Sequence, residues 1–461
     1  MKLKLTDDFS FFVYESKEEE LIIKSEFTYE DKSLVFMNGK YDPMKIKRVC
    51  FVKTKKNLNW IHTGLLKQLL LCIKKYGIKV SELNDERTKF EHNKKDYTDE
   101  ELGKYFPFDY NNHQVESLRR ILKNNRGIIK AITGSGKADT LMAFLKEVKL
   151  PTLVLVDKIM LANQLAKRAK ESGLQNVGSL NSKSNDIENK DIVFSTIGSV
   201  GKIPSFDRFK VLIVDEVHKS SAKRFQQFIS SVDYPIQIGF SATPDKGDPF
   251  TFTLIRQHFG EVLHEIKSDE MIENEVIAKP EIKFIKNEVT PMIDWVSSYQ
   301  ECIVKNKERN NYIIDIIEKY NEKILVLIKD VKYGQGHILK KQIEENTTKK
   351  VEFIQGATKD REDILDWFEN GDLDVLIATN ILNEGVSLKE IRILVNASAG
   401  KSYVENLQKI GRGTRVMKDK KKVIVYDFLD LGNKFTQRHA KERIRIYKKE
   451  GFVDIELIDS V

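Results

Sequence analysis

The residues best suited to chemistry begin at position 126, where RGIIKAITGSGKADT reads as an apolar strand that breaks into a Gly-rich turn and then a helix. Gly134 and Gly136 let the turn bring backbone N–H groups up to an anion, and Lys137 can set a point charge between two phosphates. The helix that follows directs the positive end of its dipole at the same place. Thr133, Ser135, Ala138 and Asp139 complete the expected cradle. A second group stands at 211–220, VLIVDEVHKS, a continuous apolar run of the kind found in buried parallel strands, ending in two carboxylates and a histidine. Ligands of such sheets sit at the carboxyl ends of the strands, so Asp215 is placed to hold a metal ion and Glu216 to polarise a water for attack on a γ-phosphate. Taken singly, a Gly-rich turn is commonly just a strand-to-helix connection, and an Asp-Glu pair a solvated strand end. Together, at workable spacing behind matching strands, they point to a nucleoside triphosphate. Two positions depart from the usual phosphate-loop pattern. Ala131 stands where its first Gly is found, and Ala138 where a Ser or Thr hydroxyl ligates Mg²⁺.

The elements that must position these groups alternate regularly. FDYNNHQVESLRRIL puts Gln114 ahead of the loop, with Phe108 and Tyr110 upstream, so a carboxamide to read an adenine edge and an aromatic to stack on it are both available. PTLVLVDKIMLANQLAKRA reads as strand then helix, and DIVFSTIGSV as a strand ending in Ser195, Thr196 and Ser199, whose hydroxyls suit either nucleic-acid phosphates or helix caps. PIQIGFSATPDKG adds a strand ending in Ser241, Ala242 and Thr243. This alternation predicts a doubly wound parallel sheet. A second α/β domain follows an amphipathic helix around 295–320, with strands KILVLIK, KVEFIQG, DVLIATN, RILVNAS and KKVIVYDF. It has no phosphate loop of its own. It offers instead ATNILNEGVSL and ENLQKIGRGTR, where Arg412 and Arg415, beside Gly411 and Gly413, suit delivery of guanidinium groups to a γ-phosphate held by the first domain.

The 461 residues suffice for about three domains, and 41% hydrophobic residues for their cores. A net charge of +8 suits a polyanionic partner without identifying one. Cys50, Cys72 and Cys302 are odd in number and lack metal-ligand spacing, so neither a disulfide framework nor a zinc site is expected. The N-terminus has no hydrophobic signal core, and no run reaches the ~18 apolar residues of a membrane span, so a soluble cytoplasmic protein is expected. Residues 1–100 read as a small α+β accessory domain. LIIKSEFTYE, SLVFMN and RVCFVKT suggest strands, and HTGLLKQLLLCIKKYG a helix with Leu65, Leu66, Leu69, Leu70 and Ile73 on its apolar face and Gly77 as its stop. Lys45, Lys47, Lys53, Lys55 and Lys56 there suit either a phosphate backbone or a solvated face. The same two readings apply to the basic 417–450 segment with Arg438, Lys441, Arg443, Arg445, Lys448 and Lys449. The expected boundaries are 1–100, 101–280 and 281–461, with 84–103 as a charged linker or exposed helix pair.

With these segments assembled, the chain resembles the superfamily 2 helicases. Gln114 matches the glutamine motif, GSGKA motif I, VLVDKIMLANQLA motif Ia, FSTIGSV motif Ib, DEVH motif II and SAT motif III. LVLIKDV, ATNILNEGVSL and QKIGRGTR match motifs IV, V and VI, all in the family's order across 105–430. The 239–280 segment and the N-terminal region ending in KYGIKV are similar to phage recombination helicases of the UvsW type. The resemblance implies two RecA-like parallel-sheet domains in tandem behind the α+β accessory domain, with ATP and Mg²⁺ as cofactors. It implies that Gln114 reads adenine, Lys137 binds the β and γ phosphates, Asp215 holds Mg²⁺ through water and Glu216 activates the attacking water. His218, Ser241, Ala242, Thr243 and Gly385 would couple nucleotide state to the nucleic-acid groove. Gln408, Arg412 and Arg415 would reach the γ-phosphate, with Arg415 as the arginine finger. Lys158, Ser195, Thr196, Lys329, Thr379 and Asn380 would grip a sugar-phosphate backbone without sequence preference.

The implied activity is that of an ATP-driven motor, in which a cleft between two sheets closes on the triphosphate and loosens after hydrolysis. The implied substrates are DNA forks, Holliday junctions, displacement loops and single-stranded regions, with 3′-to-5′ polarity, RNA left open, no membrane, and a monomeric protein. Two other readings stand beside it. One is the translocating part of a restriction system, which requires a nuclease domain. The other is an ATP-binding remodelling or annealing factor with weak hydrolysis, raised by the hydroxyl missing at Ala138.

Overall fold

The structure, a computed structural model, describes residues 1–33, 36–37, 40–106, 112–132, 134–232, 234–245, 247–274, 279–329, 332–356, 358–379, 391–400, 422–449 and 454–459. Phe108, Tyr110, Thr133, Asn380, Gly385, Gln408, Arg412 and Arg415 lie outside the described residues. The chain divides into two compact units, Met1–Ala131 with Gly136–Glu265, and Ile132–Ser135 with Ile266–Val461.

In the first unit, five short strands form a sheet in the order Lys53–Lys55, Leu58–His62, Phe9–Val13, Lys2–Leu5, Glu82–Asp85, antiparallel except for the last pair. The alternation of each strand turns Leu3, Leu5, Phe12 and Ile61 inward, where they pack with Leu65, Leu66, Leu69 and Ile73 around the Leu66–Lys75 helix. Two expectations are corrected here. LIIKSEFTYE is helical over most of its length, within Lys17–Glu26, and only Thr28–Asp31 is strand. The Ser16 hydroxyl accepts from Glu19 N and three glutamates occupy the first turn, so cap and dipole outweigh the β-branched pair Ile22-Ile23. Leu70 is 45% exposed, because the buried stripe runs through Leu66, Leu69, Cys72 and Ile73 and leaves Leu70 and Leu71 outside it.

The same unit contains an eight-stranded sheet ordered Asn185–Asp186, Val177–Leu180, Ile192–Thr196, Thr152–Val156, Val211–Asp215, Ile236–Ser241, Arg126–Ala131, Val262–Ile266. From Val177–Leu180 to Arg126–Ala131 all pairings are parallel. Thr152–Val156 and Ile236–Ser241 are buried at every position, as strands covered on both faces must be. Helices Lys137–Val148 and Ile159–Glu171 supply crossovers, and Asn112–Lys123 leads into the sheet's first strand in chain order, Arg126–Ala131. The small sheet docks on the Pro249–Phe259 helix: Phe250 and Leu254 join its core, and Arg126 Nη2 donates to Asp7 O at 2.6 Å while Nη1 donates to His258 O at 2.6 Å.

The second unit holds a seven-stranded parallel sheet ordered Val351–Ile354, Val375–Ala378, Ile324–Leu327, Ile393–Asn396, Lys422–Leu431, Lys279–Glu288, Ile455–Ile458. Five of these strands are those read from the sequence. Lys279–Glu288 and Ile455–Ile458 were not singled out there, because charged residues interrupt both, yet Ile282, Phe284 and Ile285 are fully buried. The amphipathic helix expected across 295–320 is two pieces. A wide turn at Ser298–Val304 closes with Lys305 N donating to Gln300 O, and a new helix, Lys307–Lys319, starts where the Asn306 side chain accepts from Arg309 N at 2.8 Å. The basic C-terminal segment is likewise no single solvated face. Arg443, on the Lys434–Lys449 helix, is fully buried and binds Asp427 through Nε and Nη2 and Gly400 O through Nη1, while Tyr447 and Asn396 donate to the same carboxylate.

Candidate active site

The Arg126–Ala131 strand delivers the chain to a turn in which Gly134 (φ 92°) and Gly136 (φ 78°) both adopt the left-handed region, and Lys137–Val148 begins immediately after. Gly136 caps that helix without a side-chain acceptor, which suits a helix start meant to meet an anion. Ser135 is buried with its hydroxyl donating to Ile132 O at 2.8 Å, so the side chain braces the turn. Gln114 is buried against the turn: a Cβ on Gly136 would lie 2.2 Å from Gln114 Nε2. The glutamine thus touches the loop from 22 positions upstream of Gly136. Asp139 is ion-paired to Arg168 of the neighbouring Ile159–Glu171 helix, which occupies its carboxylate. Ala138, half-buried in the first turn, presents only a methyl group.

Two strands away, Val211–Asp215 ends and Glu216 follows in a left-handed conformation at φ 53°. A short helical turn, Val217–Ser221, carries His218 inward, where its Nδ1 lies 2.9 Å from Ser241 Oγ and 3.2 Å from Glu216 Oε2. Ser241 Oγ in turn accepts from Thr243 N at 3.1 Å, so one hydroxyl joins the end of Ile236–Ser241 to the acidic turn. Lys219 reaches Asp157 at 2.5 Å and ties the same turn to the end of Thr152–Val156. Thr243 Oγ1 is buried without a hydrogen-bond partner among the described residues, which is what a site built to receive a polar ligand would hold.

The charges are arranged unequally. Burial pushes the Asp215 carboxyl up, Lys137 offsets part of that rise, and the adjacent Glu216 charge adds to it. Burial acts upward on Glu216 as well, but Lys137, His218 and Lys219 outweigh it and hold this carboxyl below its usual range. The two acids therefore titrate as a pair, with Lys137 close enough to act on both. Among the described residues, no group of three or more His, Cys, Asp or Glu side chains could hold a metal by itself.

The residues expected to meet nucleic acid are placed less uniformly. Ser195 and Thr196 are buried, with Ser195 Oγ donating to Thr196 O at 3.1 Å and Thr196 Oγ1 to Ser199 Oγ at 3.1 Å, so their hydroxyls serve the local turn. Lys158 immediately precedes the Ile159–Glu171 helix. In the second unit Lys329 is exposed, with Nζ 5.8 Å from the centre of the Trp295 ring, and Thr379 is buried with its N–H directed to Ile354 O at 3.4 Å. The Lys219–Asp157 tie and the left-handed Glu216 were not foreseen. A lysine three residues after an acid carries no signal of its own, and a φ angle is not written in residue type.

Comparison with known proteins supports the same assignment. Residues 107–246 match the family described as Type III restriction enzyme, res subunit, and 308–417 match the Helicase conserved C-terminal domain. The 161L protein of Invertebrate iridescent virus 6, which carries the name helicase, is 27% identical over 363 residues, covering 73% of this chain and 79% of its own. The ATP-dependent DNA helicase uvsW of Enterobacteria phage T4 is 24% identical over 382 residues, covering 74% and 75%. Among solved structures, S. cerevisiae Dbp5 bound to RNA and ADP BeF3 superposes with a TM-score of 0.52 at 16% identity, covering 76% of this chain and 94% of that one, a likeness of fold. With the phosphate loop and acidic turn inside the first matched segment and a helicase domain matched in the second, the chain belongs to the superfamily 2 helicases.

Proposed function

We propose that the protein is an ATP-hydrolysing motor that moves along nucleic acid and unwinds or branch-migrates forked and junction DNA. The single observation that carries this reading is the set Lys137, Asp215 and Glu216 at and beyond the carboxyl ends of two parallel strands that flank Ile236–Ser241, with His218 joined to Ser241 behind it. In it the Lys137 ammonium and the first-turn N–H groups bind the phosphate chain, and Gln114 braces the loop and faces the base. Glu216, kept ionised, orients a water and accepts its proton as the water attacks the γ-phosphorus. Asp215 would hold Mg²⁺, which supplies charge neutralisation on the phosphates when bound and, as is usual for this ion, would rely mainly on phosphate oxygens and water. His218 and Ser241 sense whether that carboxylate is engaged and pass the difference to the segment after Ser241. Arg412 and Arg415 are assigned to the γ-phosphate on sequence resemblance. The labour divides as 1–100 accessory, 101–280 first motor domain and 281–461 second.

DNA as the track, with fork, Holliday-junction and displacement-loop substrates and 3′-to-5′ movement, is supported by resemblance to phage recombination helicases. A monomer working in the cytoplasm fits the same reading. The restriction-type description of 107–246 bears on the motor core that restriction translocases share with helicases. The methyl group of Ala138 favours one second reading, a remodelling factor that binds ATP and hydrolyses it weakly. ATP turnover measured on single-stranded DNA, duplex, fork and four-way junction tests the proposal. Stimulation by branched DNA is expected, and a rate indifferent to every nucleic acid would overturn it. Strand separation supported equally by a non-hydrolysable ATP analogue would favour the remodelling factor.

A further inference from the structure

The five-stranded sheet of the first unit has one face in its core and one face outward, and the outward face has an unusual composition. Register places Lys53, Trp60, Phe11, Lys4 and Asn84 in one row across all five strands. The adjoining row contains Lys55 opposite Leu58, and Lys2 between Val13 and Glu82. Phe11 and Trp60 are thus cross-strand neighbours, their ring centres 6.5 Å apart, and Phe9 continues the aromatic line at 5.9 Å from Phe11. Val13 and Leu58 are exposed beside them. Two hollows, of about 630 and 370 Å³, meet on this face and share Phe11 and Leu58.

Cations frame the rings on both sides. Lys53, Lys55 and Lys56 have no carboxylate within ion-pair distance among the described residues. Lys2 and Lys4 meet Glu82 and Glu86 at 3.0 and 2.9 Å, but all four side chains are well exposed, so these pairs are weak and exchangeable. A protein partner would be met by apolar area with mixed charge at its rim. Aromatic side chains beside the unpaired cations Lys53, Lys55 and Lys56 on one edge, with only exposed, exchangeable Lys–Glu pairs on the other, instead match a strand whose bases are unpaired and whose phosphates run along the lysine edge. Paired bases inside a duplex cannot present their faces to such rings.

We propose that this outward sheet face is a stacking platform for an unpaired DNA strand, with Phe11 and Trp60 taking bases and Lys53, Lys55 and Lys56 taking phosphates. The choice of DNA rests on the motor reading above; the platform itself rests on the face. It supplies a grip on an unpaired strand that uses none of the motor motifs, and it lies in the same compact unit as Lys137, Asp215 and Glu216.

Titration of a thymidine oligonucleotide into the full-length protein without nucleotide, followed by tryptophan emission and by anisotropy of the labelled oligonucleotide, tests this directly. Saturable quenching is expected in the native protein and its loss in Trp60→Phe, which keeps a stacking ring but removes the fluorophore. The double variant Phe11→Ala, Trp60→Ala, with its thermal midpoint checked, is expected to bind roughly tenfold or more weakly, since each lost base–aromatic stack is worth about that factor. Quenching in Trp60→Phe equal to the native signal, or native affinity in the double variant, would overturn the platform. Quenching by a uridine oligonucleotide alone would overturn the choice of DNA. Turnover in the same samples keeps the two readings apart: DNA-stimulated ATP hydrolysis without any Trp60 response overturns only the platform, and a Trp60 response without nucleic-acid-stimulated hydrolysis overturns only the motor.

Discussion

Glu216 sits at φ 53°, a conformation that residues bearing a Cβ avoid, directly after the strand that delivers Asp215. Such backbone costs on the order of 1–3 kcal/mol and persists where surrounding contacts impose it, here His218 on Ser241 and Lys219 on Asp157. The outcome is a carboxylate held ionised beside one pushed the other way. Glu216→Gln keeps the shape but cannot take a proton, so ATP turnover should fall by about 10²- to 10⁴-fold while nucleotide binding persists; equilibrium binding and steady-state turnover on one preparation check both halves. Ala138→Thr restores a hydroxyl at the first turn of the phosphate-loop helix. It should raise turnover, most visibly at low Mg²⁺, and equal steady-state rates for the two proteins would count against the missing-ligand account.

At the scale of elements, the docking of the small sheet on the Pro249–Phe259 helix is tight enough to exclude a methyl group. A Cβ on Gly64 would stand 2.1 Å from Arg256 O and 2.6 Å from Gln257 O, both backbone atoms that cannot swing aside. Gly64→Ala should therefore destabilise the first unit by about 1–3 kcal/mol, as overpacking does, read as a lower denaturant midpoint with an unchanged slope. The same junction holds two histidine rings 4.5 Å apart. Burial, reinforced by Arg126 and Lys53, lowers His62 to about 4, and burial with His62 and Arg126 lowers His258 well below its usual range. An unfolded histidine titrates near 6.5, so between about pH 6.5 and 4 the unfolded chain binds protons that the folded chain refuses. Stability is then complete above that window and falls as pH drops through it, by up to about 1.4 kcal/mol per pH unit for each histidine. Denaturant unfolding at pH 7 and pH 5 should show this loss, and His62→Phe should reduce it.

For the whole molecule, the two compact units have separate cores, and a substitution in one should leave the other's unfolding unchanged. Arg443→Met provides the test for the second unit. It strips the guanidinium from a fully buried Asp427 that otherwise keeps, among the described residues, Tyr447, Asn396 and the Phe428 N–H. Removing one partner of such a pair costs about 3–5 kcal/mol. Calorimetry of the native protein, Arg443→Met and Gly64→Ala should show each variant lowering a different transition.

The sequence by itself determined what local pattern can carry: a Gly-rich turn ahead of a lysine, acids at the end of an apolar run, and the strand–helix alternation that made parallel sheets the only economical way to bury those runs. Tertiary structure alone decided the contacts between residues distant in the chain. It laid Gln114 against Gly136, turned Ser195 and Thr196 inward, engaged Asp139 with Arg168 and buried Arg443, which composition had grouped with solvated lysines. It also aligned Phe11 with Trp60 between lysines from other strands, since register across a sheet is fixed by which neighbours pair and not by any one strand's own alternation.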